Sequence, residues 1–463
     1  MAARTRHGWR RFVGCAFFLG AGFAGTAYSA ETAGRSAPSG TGTTPYLALA
    51  DVHFDPFAGS TSPRRLASLE PEQWGQAFAE GADSALPAAD GDCNPALWRS
   101  TLAAVRKASP RYAFALLMGD YLAHDFKAKY SAVFGWDAVK YEAFVEKTER
   151  YVRLSLAETL GGVPVAAALG NNDADTDDYA LVPGGPLLKA LAGAWPELSR
   201  DPAARDFRAL GCAREELPEG GGRVLVLDDV FWARPAPSDA LNETAAQGAL
   251  DWLRARLEEA ETDGVDVTLV LHIPPGVYPF AAACWLPKYA FLKPRWQTPL
   301  LELLRAHAPR IRMVWAAHTH FDDFKVLDGP QGRTVFHLVP SVGPNHGNSP
   351  SFQIGQLQTA DGNSLDLATW TLKRDAQGRG LGWGLEYDFK KEYGRNFDRA
   401  GVAALVRALK TDSGLQARFA RNYAGRSLAS SAPDARQVRP YVCAQSAFTP
   451  DEFSECACAA RKP

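Results

Sequence analysis

The segment YLALADVHFDP, residues 46–56, carries an apolar run of strand length straight into Asp51, Val52 and His53. Side chains two positions apart on an extended chain project to one face, so Asp51 and His53 are expected to reach the same ion. The pattern recurs along the chain. Residues 112–118 run into Gly119-Asp120, residues 163–169 into Gly170-Asn171-Asn172-Asp173, residues 267–271 into His272, and residues 311–317 into His318-Thr319-His320. A sixth apolar run spans residues 224–227. Helices are expected between these runs. Asn94-Pro95 opens one towards Lys107, with Asn as the cap and Pro at the first helical position. Residues 137–160 and 243–261 form two more, the latter with Leu250, Leu253 and Leu257 on one stripe.

Short strands alternating with helices predict a layered α/β or α+β core. Polar residues at the strand ends then gather at the carboxyl edge of a sheet, where open sheets of this kind bind ligands. Taken singly, each motif has a bland explanation. A D-x-H triplet arises by chance, a lone His is a structural residue, G-D is a turn, and H-x-H is an edge pair facing solvent. Five such motifs in order, each at a strand end, are not explained that way.

Bulk properties narrow the setting. The 463 residues suffice for one large catalytic domain with an appendage, and 12 Trp with 24 Phe argue against extensive disorder. Residues 1–30 have the form of an export signal: Arg4, Arg6, Arg10 and Arg11 precede an apolar stretch, and small residues lead to Ala30. Its removal moves the formal charge from −2 to −6. A mildly acidic mature protein has no electrostatic footprint for a nucleic-acid duplex. No later run of about 18 apolar residues would insert it stably in a membrane. Residues 31–44, rich in Gly, Ser, Thr and Ala, are a flexible lead-in. Export makes Cys93, Cys212, Cys284, Cys443, Cys456 and Cys458 candidates for disulfides, with Cys443 expected to pair with Cys456 or Cys458. A catalytic domain is assigned to residues 45–372 and a helical, Cys-containing C-terminal subdomain to residues 373–463. Oligomeric state is left open.

The ordered set D-x-H, G-D, G-N, H and H-x-H resembles that of the calcineurin-like metallophosphoesterases. Its wider context, ALADVHFDP, LLMGDYLAHDF, HIPPG, AAHTHFDDF and PSVGPNHGNSPSF, is similar to their acid sphingomyelinase-like phosphodiesterase branch. The resemblance implies a β-sandwich flanked by helices over residues 47–352, rather than the doubly wound sheet that periodicity alone suggests. It implies that Asp51, His53 and His320 hold one divalent ion, that Asn171, His272 and His318 hold a second, and that Asp120 bridges the two. Zinc is expected, with manganese or iron allowed by the same ligands. Two ions about 3.5–4 Å apart turn a shared water into hydroxide and clamp the phosphoryl oxygens. The implied activity is hydrolysis of phosphodiester or phosphoanhydride bonds in a small phosphorylated substrate. A sphingomyelinase-type lipid phosphodiesterase, a phosphomonoesterase and a non-catalytic binding protein on the same scaffold are the rival readings.

Two features set this chain apart. Most of the family reads G-N-H where this sequence has Asn172, which cannot act as an acid. The branch's other candidate acid is the His of G-D-x-x-x-H-D, here His124. The G-N-N-D variant also occurs in endopolyphosphatases, whose phosphate leaving group needs little protonation, so Asn172 points towards phosphoanhydrides or nucleotide-like diesters. The lead-in also leaves no room for the saposin domain of true acid sphingomyelinases. Asn172, His346 and Asn348 are the candidate substrate contacts. As a calcium loop the stretch from Asp173 fails, because its sixth position is Asp178 instead of Gly and its twelfth is Gly184 instead of Glu. The aspartates after Asn172 are therefore expected to form a solvated loop. Asp322 and Asp323 are expected either to orient ligand histidines or to be solvated.

Overall fold

The computed structural model describes residues 42–82, 84–194, 203–279, 288–358, 364–375, 379–427, 433 and 437–458. The expected export signal, most of the lead-in and Cys284 lie outside the described residues. Twelve strands are described: β1 (Thr43–Leu49), β2 (Ala115–Met118), β3 (Val165–Ala168), β4 (Ala213–Leu217), β5 (Gly222–Val226), β6 (Val267–Val270), β7 (Ile311–Ala316), β8 (Asp323–Gly329), β9 (Gly332–Leu338), β10 (Ser351–Gln358), β11 (Ser364–Arg374) and β12 (Gly380–Asp388). They form two six-stranded mixed sheets, ordered β12-β11-β10-β1-β2-β3 and β4-β5-β6-β7-β9-β8.

Both sheets have a parallel centre. β1, β2 and β3 run parallel in the first sheet, and β5, β6, β7 and β9 in the second. β1 to β3 and β5 to β7 are the six apolar runs of the sequence. β2 and β3 are buried at every position, which is why they are continuous apolar segments rather than alternating ones. The sheets meet face to face, with the Tyr46 ring of β1 set edge-on to Trp315 of β7 at 5.8 Å. The carboxyl ends of β1, β2, β3, β6 and β7 carry the five motifs.

Helices cover the outer faces, and their ends are written in the sequence. The Asn94 side chain accepts from Leu97 N at 2.9 Å to start Pro95–Ala108. Asp137 caps Ala138–Leu160, and Gly161 ends it in a left-handed conformation. Asp239 and Gly264 do the same for Ala240–Asp263.

The C-terminal part differs from its expected division. β12 pairs antiparallel with β11 in the first sheet, so a boundary at residue 372 falls within a β-hairpin. Helical material starts at Phe389 and comprises Phe389–Tyr393, Arg399–Leu409, Ser413–Tyr423, Arg439–Ala444 and Pro450–Cys458. These helices are bonded to the core. Val326 N of β8 donates to Gln445 O at 2.8 Å, the Gln445 amide donates to Asp323 at 2.8 Å, and buried Lys325 donates to Ala444 O. The C-terminal segment thereby caps the otherwise open edge of β8. Cys443 is joined to Cys456, and Cys458 is also disulfide-bonded. Cys93 and Cys212 are instead free and buried. They pack as small apolar side chains, which counting cysteines does not reveal.

Candidate metal centre

Each strand of the pair β1 and β2 ends against the other's loop. Asp51 N donates to Gly119 O at 3.0 Å and His53 N to Asp120 O at 2.9 Å. Asp51 and His53 are not extended, as the sequence suggested. Their φ values are both 47°, Asp120 has 56°, and His318 and His320 have 67° and 68°. Left-handed backbone costs roughly 1–2 kcal/mol for each L-residue, and Asp and His are among the residues that tolerate it best. The two D-x-H side chains therefore converge by alternate left-handed turns, not by the two-residue period of a strand. The H-x-H pair after β7 repeats the device.

Asp51, His53 and Asp120 bring ligand atoms within 4.8 Å of one another, as do Asp120, His272 and His318. Asp120 is common to both groups. His272 Nε2 lies 3.1 Å from Asn171 Oδ1 and 3.3 Å from Asp120 Oδ2. His320 Nε2 lies 3.1 Å from His53 Nε2 and 3.7 Å from Asp51 Oδ1. The structure thus brings all seven candidate ligands to one point, four from the first sheet and three from the second.

The donor set fits divalent cations. His53 Nδ1 donates to Leu122 O at 3.0 Å and His272 Nδ1 to Met118 O at 2.6 Å. A carbonyl only accepts, so both imidazoles present Nε2 to the centre, as metal-binding histidines do. Asp51 Oδ2 and His320 Nδ1 are buried with no hydrogen-bond partner. Burial holds His53 and His318 down at about 3, as neutral imidazoles. Burial also works against charge on His272, but Asp120 outweighs it and pushes its pKa up to about 10. Positive charge is favoured at that point.

Other groups place these ligands, and several were not singled out in the sequence. Asp173 is wholly buried, and its carboxylate accepts from Asp120 N at 2.8 Å, Tyr121 N at 2.7 Å, Leu122 N at 3.2 Å and Gly170 N at 2.8 Å. It clamps the G-D loop to the G-N loop, so it is no part of a solvated loop. Asp175 is buried too and accepts from Val182 N and Leu187 N. Asp178 accepts from the Asn171 amide at 2.6 Å, which turns Asn171 Oδ1 towards His272. Asp229 holds the end of β6 through Ile273 N at 2.9 Å. The signal for Asp173 was present, as the last letter of G-N-N-D. Asp229 acts only through the fold.

Asn172 donates through its backbone N to Asp120 Oδ1 at 2.8 Å and through its side chain to Asp120 Oδ2 at 2.9 Å. Its donors orient the shared carboxylate, and it lines a smaller cleft beside His124. Asn348 is buried, and its amide donates to Gly343 O at 3.0 Å. It shapes the loop whose Gly343 N bonds Asp51 O. Asp322 and Asp323 neither orient ligand histidines nor meet solvent. Asp322 accepts from Tyr387 Oη at 2.6 Å, and Asp323 from Gln445.

His124 and His346 stand on the open side. His124 stacks on His53 with ring centroids 4.0 Å apart, and His346 stacks on His320 at 4.1 Å. The two outer rings are 6.0 Å apart across a cleft of ≈ 490 Å3. Asp92 anchors His124 by accepting from Nδ1 at 2.9 Å. Lys129 in turn donates to Asp92 at 2.6 Å and to Asp55 at 2.8 Å. The Asn345 amide donates to Asp92 at 3.2 Å and lies 2.6 Å from His124 Nδ1. Burial works to lower the His124 pKa, but the Asp92 hydrogen bond and charge outweigh it and hold it above its ordinary value. Asp92 and Asn345 were missed because they lie far from His124 in sequence.

A mixed two-sheet sandwich with imidazole and carboxylate ligands at its strand ends defines a metal-dependent phosphoesterase. The chain belongs to the calcineurin-like phosphoesterase family, whose sequence model matches residues 44–322. Among named relatives, it is 25% identical over 432 residues to the human acid sphingomyelinase-like phosphodiesterase 3b, covering 88% of this chain and 89% of that protein. It is 27% identical over 256 residues to human sphingomyelin phosphodiesterase, covering 51% of this chain but only 38% of that longer protein. Among solved structures, a dimetal phosphatase from Danio rerio is similar at 16% identity and a TM-score of 0.41, covering 74% of this chain and 98% of that one. The chain is a phosphoric ester hydrolase of this family, with sphingomyelinase-like relatives.

Proposed function

We propose that this chain is an exported phosphohydrolase that holds two divalent ions and cleaves small phosphorylated substrates at phosphodiester or phosphoanhydride bonds. Asp51, His53 and His320 would hold one ion, Asn171, His272 and His318 the other, and Asp120 both. The observation that carries this reading is the sharing of the Asp120 carboxylate by two separate donor groups. Zinc suits the imidazole-rich set, as do manganese and iron. Bound ions of this kind supply Lewis-acid charge that activates water and neutralises phosphoryl oxygens. The Cys443–Cys456 disulfide supports an oxidising compartment, and among the described residues no helix is long and apolar enough to cross a membrane.

The chain's own groups do the rest. Asn172 fixes both oxygens of Asp120, and Asp173 fixes the two loops that deliver Asp120 and Asn171. His124, held by Asp92 and Asn345 beside the ligand His53, donates a proton to the departing oxygen. His346 faces it from the ring of His320 and bounds the same space. His124→Gln is expected to lower kcat by roughly 10²–10⁴-fold, more for a poor leaving group than for p-nitrophenolate, with metal content unchanged. An equal loss for both leaving groups would remove His124 from the acid role.

A further inference from the structure

We infer that this chain carries a second ligand site, at the end of the sandwich away from the metal centre, for a small uncharged aromatic molecule bearing a hydrogen-bond acceptor. A cavity of ≈ 110 Å3 opens there between the sheets. Tyr46 of β1, Leu116 of β2 and Leu357 of β10 line it from the first sheet, and Thr268 of β6 with Met313 and Trp315 of β7 from the second. Asp266 and Arg312 stand on its rim where β6 and β7 begin, whereas His272 and His318 follow the ends of those strands. The aromatic wall is held rigidly. The Tyr46 ring stacks on Phe114 at 5.1 Å and stands edge-on to Trp315 at 5.8 Å. Bare backbone supports both stacked rings: a Cβ on Gly355 would lie 2.0 Å from Tyr46 Cζ, and one on Gly221 2.8 Å from Phe114 Cε1. The rings therefore have no slack with which to close the space, and small ligands occupy such pre-formed sites.

Two donors on that wall lack a full partner within the chain. The Trp315 side chain is buried, and its indole N–H meets no acceptor among the described residues. The wholly buried indoles of Trp74, Trp98 and Trp232 all donate, at 3.1, 2.9 and 2.8 Å, as buried tryptophans ordinarily do. The buried Tyr46 hydroxyl has Ser364 Oγ at 3.4 Å, well beyond the roughly 2.7–2.8 Å of a sound O–H···O bond. An occupant with an acceptor completes these groups, and its ring meets Tyr46 and Trp315 in the offset or edge-on geometries that aromatic pairs favour. Charge at the rim is balanced. Arg312 donates to Gly220 O at 3.0 Å and stands 3.9 Å from Asp266. Asp398 caps helix Arg399–Leu409 through Gly401 N at 2.7 Å, and Arg399 donates to Ala308 O at 2.7 Å. Two guanidinium groups and two carboxylates leave no net charge to attract an ion, and a charged group drawn inside would lose its hydration. An enclosed apolar cavity of about 150 Å3 takes benzene. This smaller space is partly open, so it holds a single ring with its edge at the rim.

The test titrates the full chain, with zinc in excess, against benzamide, toluene and benzoate by calorimetry. Benzamide is expected to bind with a Kd of about 1 mM or tighter. Toluene lacks the acceptor and benzoate carries a charge, so each should bind at least about threefold more weakly. Tyr46→Phe and Trp315→Phe each keep a ring and remove one donor. Each should weaken benzamide by about threefold or more and leave toluene within about twofold, with circular dichroism unchanged. A crystal soaked in 4-bromobenzamide should show the bromine between β1 and β7 by anomalous scattering. Benzamide affinity that is equal in wild type and both variants, benzoate binding tighter than benzamide, or bromine found only elsewhere would overturn the inference. None of these readouts involves turnover, so the hydrolase reading stands or falls separately.

Discussion

Gly119 and Gly170 meet backbone to backbone behind the metal centre. A Cβ on Gly119, whose φ is +84°, would lie 2.4 Å from Gly170 N, and a Cβ on Gly170 would lie 2.1 Å from Asp120 Oδ1. Neither obstacle is a flexible side-chain tip with somewhere else to go. The glycines of G-D and G-N are therefore requirements of close approach, not turn preferences. Gly170→Ala is expected to displace the Asp120 carboxylate and weaken metal binding by roughly 10–100-fold, read by metal titration with circular dichroism as the check on folding. Unchanged affinity would remove Asp120 from its shared position. At this scale the candidate ligands were legible, because each lies in the polar turn directly after a buried apolar run. Asp92, Asn345 and Asp229 were not, since each acts on a residue that only folding brings near.

Among the elements, β12 carries the clearest departure from expectation. Its Gly-rich sequence lacks the apolar run that marks a central strand, because it is an outer strand with much of its length exposed. Glu386 nonetheless points inward, accepting from Thr371 Oγ1 at 2.7 Å with Arg426 at 3.5 Å. Burial pushes its pKa up to about 8, against the lowering effect of the Thr371 bond. The folded state thus binds more protons than the unfolded state between the ordinary glutamate range and pH of about 8, so stability falls as pH rises through that window. Glu386→Gln keeps the shape and removes the titration. Denaturant curves should show a flatter pH dependence for the variant. Its advantage over wild type should grow across the window by about 1.4 kcal/mol for each pH unit crossed. Parallel curves for the two proteins would show that Glu386 is not penalised by burial.

For the whole molecule, the seven candidate ligands divide between the sheets: Asp51, His53, Asp120 and Asn171 follow strands of the first, and His272, His318 and His320 strands of the second. Bound ions would therefore join the two halves of the sandwich, so metal content should govern global stability. Chelation is expected to lower Tm reversibly, each site contributing about 2.7 kcal/mol when free metal is 100-fold above Kd. A Tm indifferent to chelator and to added zinc would count against metals spanning the sheets. The sequence by itself determined the layered core, the apolar strands at its centre, the main helices with their caps, and the placing of the seven candidate ligands at strand ends. Each of these rests on local signals, namely apolar runs, capping side chains, and a polar residue where burial stops. Only the tertiary structure decided that Asp51 and His53 converge through left-handed backbone, that Asp173 is a buried clamp, that β12 belongs to the first sheet, and that Asp92 and Asn345 hold His124. Those depend on which distant segments meet, and no stretch of chain records that locally.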